Sequence, residues 1–286
     1  MTRRLDTNMA LLAALVAILS LATSALAATP SSGCGKDTTY TAGNKQMTVN
    51  GKNRQYIVRL PENYDNNGTY RLIFGLHWLD SNYQSVDGGT APYYGMMGKA
   101  ENTAIFVAPD GLNRGWGNQG GEDVTFISNI VDEVTSELCV DMDRIFSMGF
   151  SYGGAMSYSL ACSKPDIFRA VAVMSGAPLS GCQGGTQPVA YYGQHGVRDG
   201  VLNIGMGRQL RDKFVANNGC AQASPQEPSS GSRQHIKTEY TGCSEGYPVT
   251  WVAFDEDHVA LPQDSGGDGG PNSWTIGEVW DFISQF

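Results

Sequence analysis

Positive charge is scarce in this chain. Its 286 residues carry 19 Lys and Arg against 28 Asp and Glu, a formal net charge of −9. Nucleic acids and anionic membranes are gripped through clustered basic side chains, so neither is an expected partner. Beyond the N-terminus, no stretch reaches the roughly 18 continuous apolar residues that a membrane-spanning helix needs. There is no Cys-x-x-Cys pair and no zinc-ligand spacing, which leaves no metal and no cofactor expected. No internal repeat is present, and no linker is long enough to separate a pair of domains. Histidine is rare as well. The four are His77, His195, His235 and His258, so chemistry that needs an imidazole has few candidates.

The chain opens on Arg3 and Arg4, an apolar run over residues 9–22, and the small residues Ala25, Leu26 and Ala27. This order is that of a secretory signal peptide cut after Ala27, with a secreted, extracellular product. Asp6 and Asn8 do not suit a twin-arginine signal, and the apolar run is short for an anchor. Residues 28–286 remain acidic and have the length of a single α/β domain, expected to act as a monomer. All six cysteines fall within that range. An even count in a secreted chain points to three disulfides. Cys139 and Cys162 each end a predicted helix on one side of the sheet. Six cysteines allow 15 pairings, which sequence does not decide; that placement suggests Cys139–Cys162, and the set expected with it is Cys34–Cys182 and Cys220–Cys243. Asn67-Gly68-Thr69 is an N-glycosylation sequon in a turn-rich stretch.

Strand and helix patterns alternate from there. Residues 46–49 and 55–60 flank Asn50-Gly51, a hairpin signal. Short apolar runs predict strands at 70–76, 104–108, 145–148, 170–174, 189–192 and 249–254. A weak helix is expected over 91–102. Others are expected over 122–139, 155–161, 203–217 and 274–286, with 221–233 an exposed loop. Such alternation implies a mostly parallel sheet covered by helices on both faces. Ligands of such sheets bind at the carboxyl ends of the strands.

Gly149-Phe150-Ser151-Tyr152-Gly153 fits the G-x-S-x-G pattern between a predicted strand and a predicted helix. A tight strand-to-helix turn thrusts the serine hydroxyl outward. That hydroxyl is a poor nucleophile without a base, and the base needs a carboxylate to fix its tautomer. In nucleophile-elbow hydrolases the chain order is serine, acid, histidine. His258 follows the last predicted strand and is the best base. For the acid, Asp166 lies on the wrong side of the sheet and Asp212 is mid-helix. Asp255 and Asp257 are too near His258 in sequence to face it. Asp199 follows the 189–192 strand and is the choice. The oxyanion donors are expected to be the backbone N–H of Tyr152 and of Leu79, with Trp78 as the alternative to Leu79. Trp78, Trp116 and Tyr152 sit in strand-end loops and could line a substrate site.

Several motifs together resemble one family. They are Ser32-Gly33-Cys34-Gly35-Lys36, Leu76-His77, Pro109-Asp110-Gly111, Asp123 to Ile127, Cys139-Val140-Asp141, Arg144-Ile145, Gly149 to Gly154 and Leu160-Ala161-Cys162. The set is similar to secreted fungal feruloyl esterases of the type C/D group. These belong to carbohydrate esterase family 1 and are related to polyhydroxybutyrate depolymerase-like esterases. The likeness runs along nearly all of residues 28–286. It implies an α/β-hydrolase that releases ferulic acid from feruloylated arabinoxylan, with Ser151, Asp199 and His258 as the triad. Trp78 departs from the family pattern, since many relatives carry glycine after the early histidine. The alternatives are an acetylxylan esterase or polyester depolymerase on the same scaffold. A peptidase and an inactive carbohydrate-binding relative lie further off.

Overall fold

A computed structural model describes residues 28–286, so the expected signal segment lies outside the described residues. Strands β1 (Gly43–Val49) and β2 (Lys52–Arg59) form the expected hairpin. Its two turn residues, Asn50 and Gly51, take φ of 51° and 76°, as a twist-matched two-residue turn requires. The remaining strands are β3 (Tyr70–Leu76), β4 (Ala104–Pro109), β5 (Val140–Phe150), β6 (Ala170–Met174), β7 (Ala190–Gly196), β8 (His235–Glu239) and β9 (Val249–Phe254). All join one sheet in the order β1-β2-β4-β3-β5-β6-β7-β9-β8. The segment β4-β3-β5-β6-β7-β9 is parallel throughout. Antiparallel β2 and β8 flank it.

Helices α1 (Tyr83–Asp87), α2 (Met96–Ala100), α3 (Glu122–Glu137), α4 (Tyr152–Ser163), α5 (Ile204–Asn217) and α6 (Trp274–Ser284) cover the two faces. The period of two in β3 divides the core. Leu72, Phe74 and Leu76 pack with α3, α4 and α5, while Ile73 packs with α1, α2 and α6. Each such fully buried side chain contributes about 1.5–3 kcal/mol. Ile127, Ile130, Val131 and Val134 give α3 its buried stripe, and Glu122 and Asp123 occupy its first turn. The Asn118 Oδ1 caps that helix by accepting from the N–H of Asp123 and of Val124, each at 3.1 Å.

Some expectations need correction. Residues 91–102 do not form one helix. Tyr93 and Tyr94 take left-handed φ of 52° and 56°, so a single 3-10 turn precedes α2. The strand β8 follows the exposed 221–233 stretch, where the sequence predicts none. The disulfides are Cys34–Cys139, Cys162–Cys182 and Cys220–Cys243, so only the last matches. Helix α3 stops at Glu137, because Leu138 is already extended. Cys139 therefore lies at the start of β5 rather than on a helix. There the N-terminal segment reaches it, with Ser31 N–H donating to the Val140 carbonyl at 2.8 Å. Cys182 reaches α4 because the loop after β6 folds back on it, and Gly185 N–H donates to the Cys162 carbonyl at 3.0 Å.

Candidate active site

Strand β5 ends at Phe150 and α4 begins at Tyr152, so Ser151 forms the whole turn. Its φ of 56° and ψ of −117° lie outside the usual regions for a residue with a side chain, a strain of about 1–3 kcal/mol. Close packing holds it there. A Cβ on Gly153 would lie 2.2 Å from the Leu76 carbonyl oxygen, so only glycine lets α4 approach the end of β3. The Ser151 N–H donates to the Met174 carbonyl at the end of β6, at 2.9 Å.

The structure brings the three expected side chains together at the carboxyl ends of β5, β7 and β9. Asp199 Oδ2 accepts from His258 Nδ1 at 2.6 Å, and Ser151 Oγ donates to His258 Nε2 at 2.8 Å. The carboxylate on Nδ1 fixes the proton there and leaves Nε2 as the bare base. Burial pushes the Asp199 carboxyl up, but hydrogen bonds from His195, His258 and the Leu202 N–H outweigh it. They hold the group well below the usual carboxylate range. Asp199 and His258 sit on crossing loops. Asp257 Oδ1 accepts from both Gly200 N–H and His258 N–H, each at 2.9 Å. Arg198 Nε donates to Asp255 at 2.9 Å. Asp255 and Asp257 are thus ties between the loops.

The loop after β3 lies against the elbow. His77 is fully buried, and burial pushes its pKa down. Its Nδ1–H donates to the Trp78 carbonyl at 2.7 Å, and its Nε2 accepts from Gly111 N–H at 2.9 Å. The Trp78 carbonyl also accepts from Ser81 N–H at 3.2 Å. In a trans peptide the N–H points opposite to the C=O. With the Trp78 carbonyl turned inward, Leu79 N–H faces out. Tyr152 opens α4, so its N–H has no acceptor within the helix. The two residues are neighbours. A Cβ on Gly115 would lie 2.9 Å from Tyr152 Cε1 and 3.5 Å from Leu79 Cδ1.

The aromatic candidates separate. Trp78 is half-buried and meets Phe150 edge-on at 6.4 Å, and Phe150 in turn lies 4.6 Å from the His258 ring. Tyr152 is half-buried over the glycine loop. Trp116 is fully buried and does not line the site. Its Nε1–H donates to the His77 carbonyl at 2.7 Å, and its own carbonyl accepts from Ser180 Oγ at 2.8 Å. A tryptophan in a glycine-rich loop signals exposure, but here the loop folds inward and Trp116 locks three loops together.

Other contributors carry no motif. The Tyr94 hydroxyl donates to the Leu76 carbonyl at 2.7 Å and accepts from Phe150 N–H at 3.3 Å, which joins the ends of β3 and β5. Among the described residues, three of the four exposed large apolar side chains are Leu79, Leu179 and Val201. They stand on the loops that follow β3, β6 and β7, at the carboxyl ends of the strands. His235 meets Asp264 at 2.8 Å and stacks on Trp274, away from Ser151. A cavity of about 990 Å³ lies at the opposite ends of the strands, lined by Arg71, Arg144 and Arg169 among others, and includes none of the three site residues. Chemistry rather than volume favours the strand-end site, since the hydrogen-bonded serine, histidine and aspartate are there and not in the larger hollow.

Comparison with known proteins decides the family. Feruloyl esterase D of Neurospora crassa is 50% identical over 282 residues, covering 95% of this chain and 96% of its own. The chain belongs to the feruloyl esterase C/D family. A probable feruloyl esterase C of Aspergillus clavatus is 47% identical over 275 residues, covering 96% and 97% of the two chains. The model of the Prolyl oligopeptidase family matches residues 112–180, which include the elbow. Among solved structures, acetyl xylan esterase from Aspergillus awamori aligns with a TM-score of 0.62 at 14% identity, over 85% of this chain and 99% of that one. At that identity the likeness is one of fold, and it agrees with the expected α/β-hydrolase. Membership in this esterase family makes the chain a serine carboxylic ester hydrolase.

Proposed function

We propose that Ser151, His258 and Asp199 hydrolyse feruloyl esters on arabinoxylan or its oligosaccharides through an acyl-enzyme. The observation that carries this reading is the unbroken hydrogen-bonded chain from Ser151 Oγ through His258 to Asp199. His258 Nε2 takes the hydroxyl proton as Ser151 Oγ attacks the ester carbonyl carbon. The N–H groups of Tyr152 and Leu79 receive the oxyanion. The bond to the sugar oxygen then breaks, and His258 returns the proton to that oxygen. Water attacks the acyl-enzyme with His258 as base again, which frees the acid and restores Ser151. Asp199 orients the ring and stabilises its charge.

Two observations support an aryl acyl group. The relatives bear the name feruloyl esterase. Exposed Leu79, Leu179 and Val201 stand on loops at the strand ends that carry the site, as do half-buried Trp78 and Tyr152, and apolar side chains there suit a hydroxycinnamoyl ring better than acetate. Secretion, a monomeric state and a glycan on exposed Asn67 complete the proposal. Turnover of methyl ferulate is to be compared with that of acetylated xylan, polyester oligomers and peptides. Ser151→Ala should lower turnover at least about a thousandfold with an unchanged melting temperature. A variant that keeps more than a few per cent of the rate would sink the mechanism. Faster turnover of acetylated xylan would sink the acyl assignment.

A further inference from the structure

His195 sits in β7, fully buried, four residues before Asp199. Its Nε2 lies 2.6 Å from the Leu202 carbonyl oxygen and 3.2 Å from Asp199 Oδ2. Both neighbours are acceptors, so Nε2 carries the proton and divides it between them. Nδ1 is buried with no partner. A Cβ on Gly207 of α5 would lie only 2.3 Å from it, so the helix leaves no room for water there. A ring that leaves one buried nitrogen unsatisfied is costly, and this one lies directly behind the site.

We propose that His195 is a positioning residue for Asp199, through which two imidazoles share one carboxylate oxygen and the orientation and basicity of His258 are set. This rests on the reading of Ser151, His258 and Asp199 as the reacting chain. The contacts form a closed clamp. His195 holds the Leu202 carbonyl, and the N–H groups of Leu202 and Val201 donate to Asp199 Oδ1 at 2.8 and 2.9 Å. Oδ2 is left to the two rings. A carboxylate with four donors spreads its charge over all of them, so it stabilises the His258 imidazolium less than one with fewer would. Loss of the His195 donor should therefore make His258 more basic while loosening the loop that aims it.

The charged groups nearby do not compete for this role. From the β7 loop, Arg198 turns away to Asp255 and Glu256. From the β9 loop, Asp257 is occupied by Gly200 and His258 N–H groups. From α5, Arg211 lies over Trp251 and pairs with Asp212. Trp251 itself stacks on His195 from β9.

The test compares His195→Phe, which keeps a flat ring but no donor, with His195→Gln, whose amide can donate. Rates on methyl ferulate are followed across pH, beside the melting temperature. For His195→Phe, kcat should fall about tenfold with KM within about twofold, and the acid limb of kcat/KM should move to higher pH by a few tenths of a unit. His195→Gln should restore the acid limb. A wild-type acid limb in His195→Phe, or a His195→Gln profile identical to it, would overturn the inference. The wild-type protein offers a second measurement that needs no variant to fold. Isotope-labelled histidine should show His195 protonated at Nε2 and bare at Nδ1; the opposite tautomer would overturn the inference equally. Labelling of wild-type Ser151 by a fluorophosphonate separates the two readings. Its absence would fault the hydrolase mechanism, whereas labelling with an unmoved acid limb would fault His195 alone.

Discussion

Asp199 accepts hydrogen bonds from four donors, on two histidines and two backbone N–H groups. Its folded pKa is held below the unfolded value of about 3.9. The stabilisation is therefore fully present above about pH 4 and is lost as pH falls toward the folded value. Asp199→Asn should lower kcat by about 10⁴, because the amide favours the wrong histidine tautomer. Calorimetry should show its melting deficit narrowing in acid, and a deficit that stays constant with pH would refute this assignment of the carboxylate's contribution. His77 has the same sign for a different reason. Burial holds its folded pKa below the unfolded value of about 6.5, so its contribution is full above that pH and declines below it. His77→Gln should show a flatter fall in urea midpoint on acidification from about pH 6.5. A slope equal to that of the wild type would rule out this ring as the source.

The elbow depends on its neighbours as much as on its own residues. The approach of α4 to β3 leaves no space at Gly153, where a Cβ would lie 2.2 Å from a backbone oxygen. Gly153→Ala should cost about 1–3 kcal/mol or more, read as a lower urea midpoint, and should also reduce kcat by moving Ser151. Wild-type stability and rate would mean that the strand and helix can separate freely. This dependence explains what was legible in the chain. Strands β3, β6 and β9 are mostly apolar and buried on both faces, and their bounds are readable in the sequence. The elbow and the order serine, acid, histidine were readable because that chemistry restricts residue type. The sequence predicts β7 only to Tyr192 because Gly193 to Gly196 looks polar. Gln194 and His195 nevertheless belong inside, since Tyr192 donates to Gln194 and His195 meets Leu202 and Asp199. Edge strand β8 lacks a buried face to pattern it. Trp116 and Tyr94 work through contacts made across the fold, which local sequence does not encode.

At the scale of the molecule, the longest crosslink and the site occupy opposite ends of β5. The three disulfides close sequence separations of 105, 20 and 23 residues, and the loops neither overlap nor nest. Each therefore constrains its own stretch of the unfolded chain. By loop-closure entropy the Cys34–Cys139 link is worth about 4.7 kcal/mol, and the two short links about 3.3 kcal/mol each. Cys34 and Cys139 fasten the N-terminal segment beneath the start of β5, while Ser151 stands beyond its far end. The active loops are held instead by Asp257, Arg198 and Trp116. Replacing Cys34 and Cys139 together with serine should thus give the largest loss of unfolding free energy of the three paired replacements. At temperatures where that variant remains folded, kcat on methyl ferulate should match the wild type. Urea unfolding and steady-state rates check the two halves separately. An equal loss from the Cys220–Cys243 pair would show that native contacts, rather than loop length, set the contribution. A fall in kcat in the folded variant would show that the lower end of β5 transmits strain to the elbow.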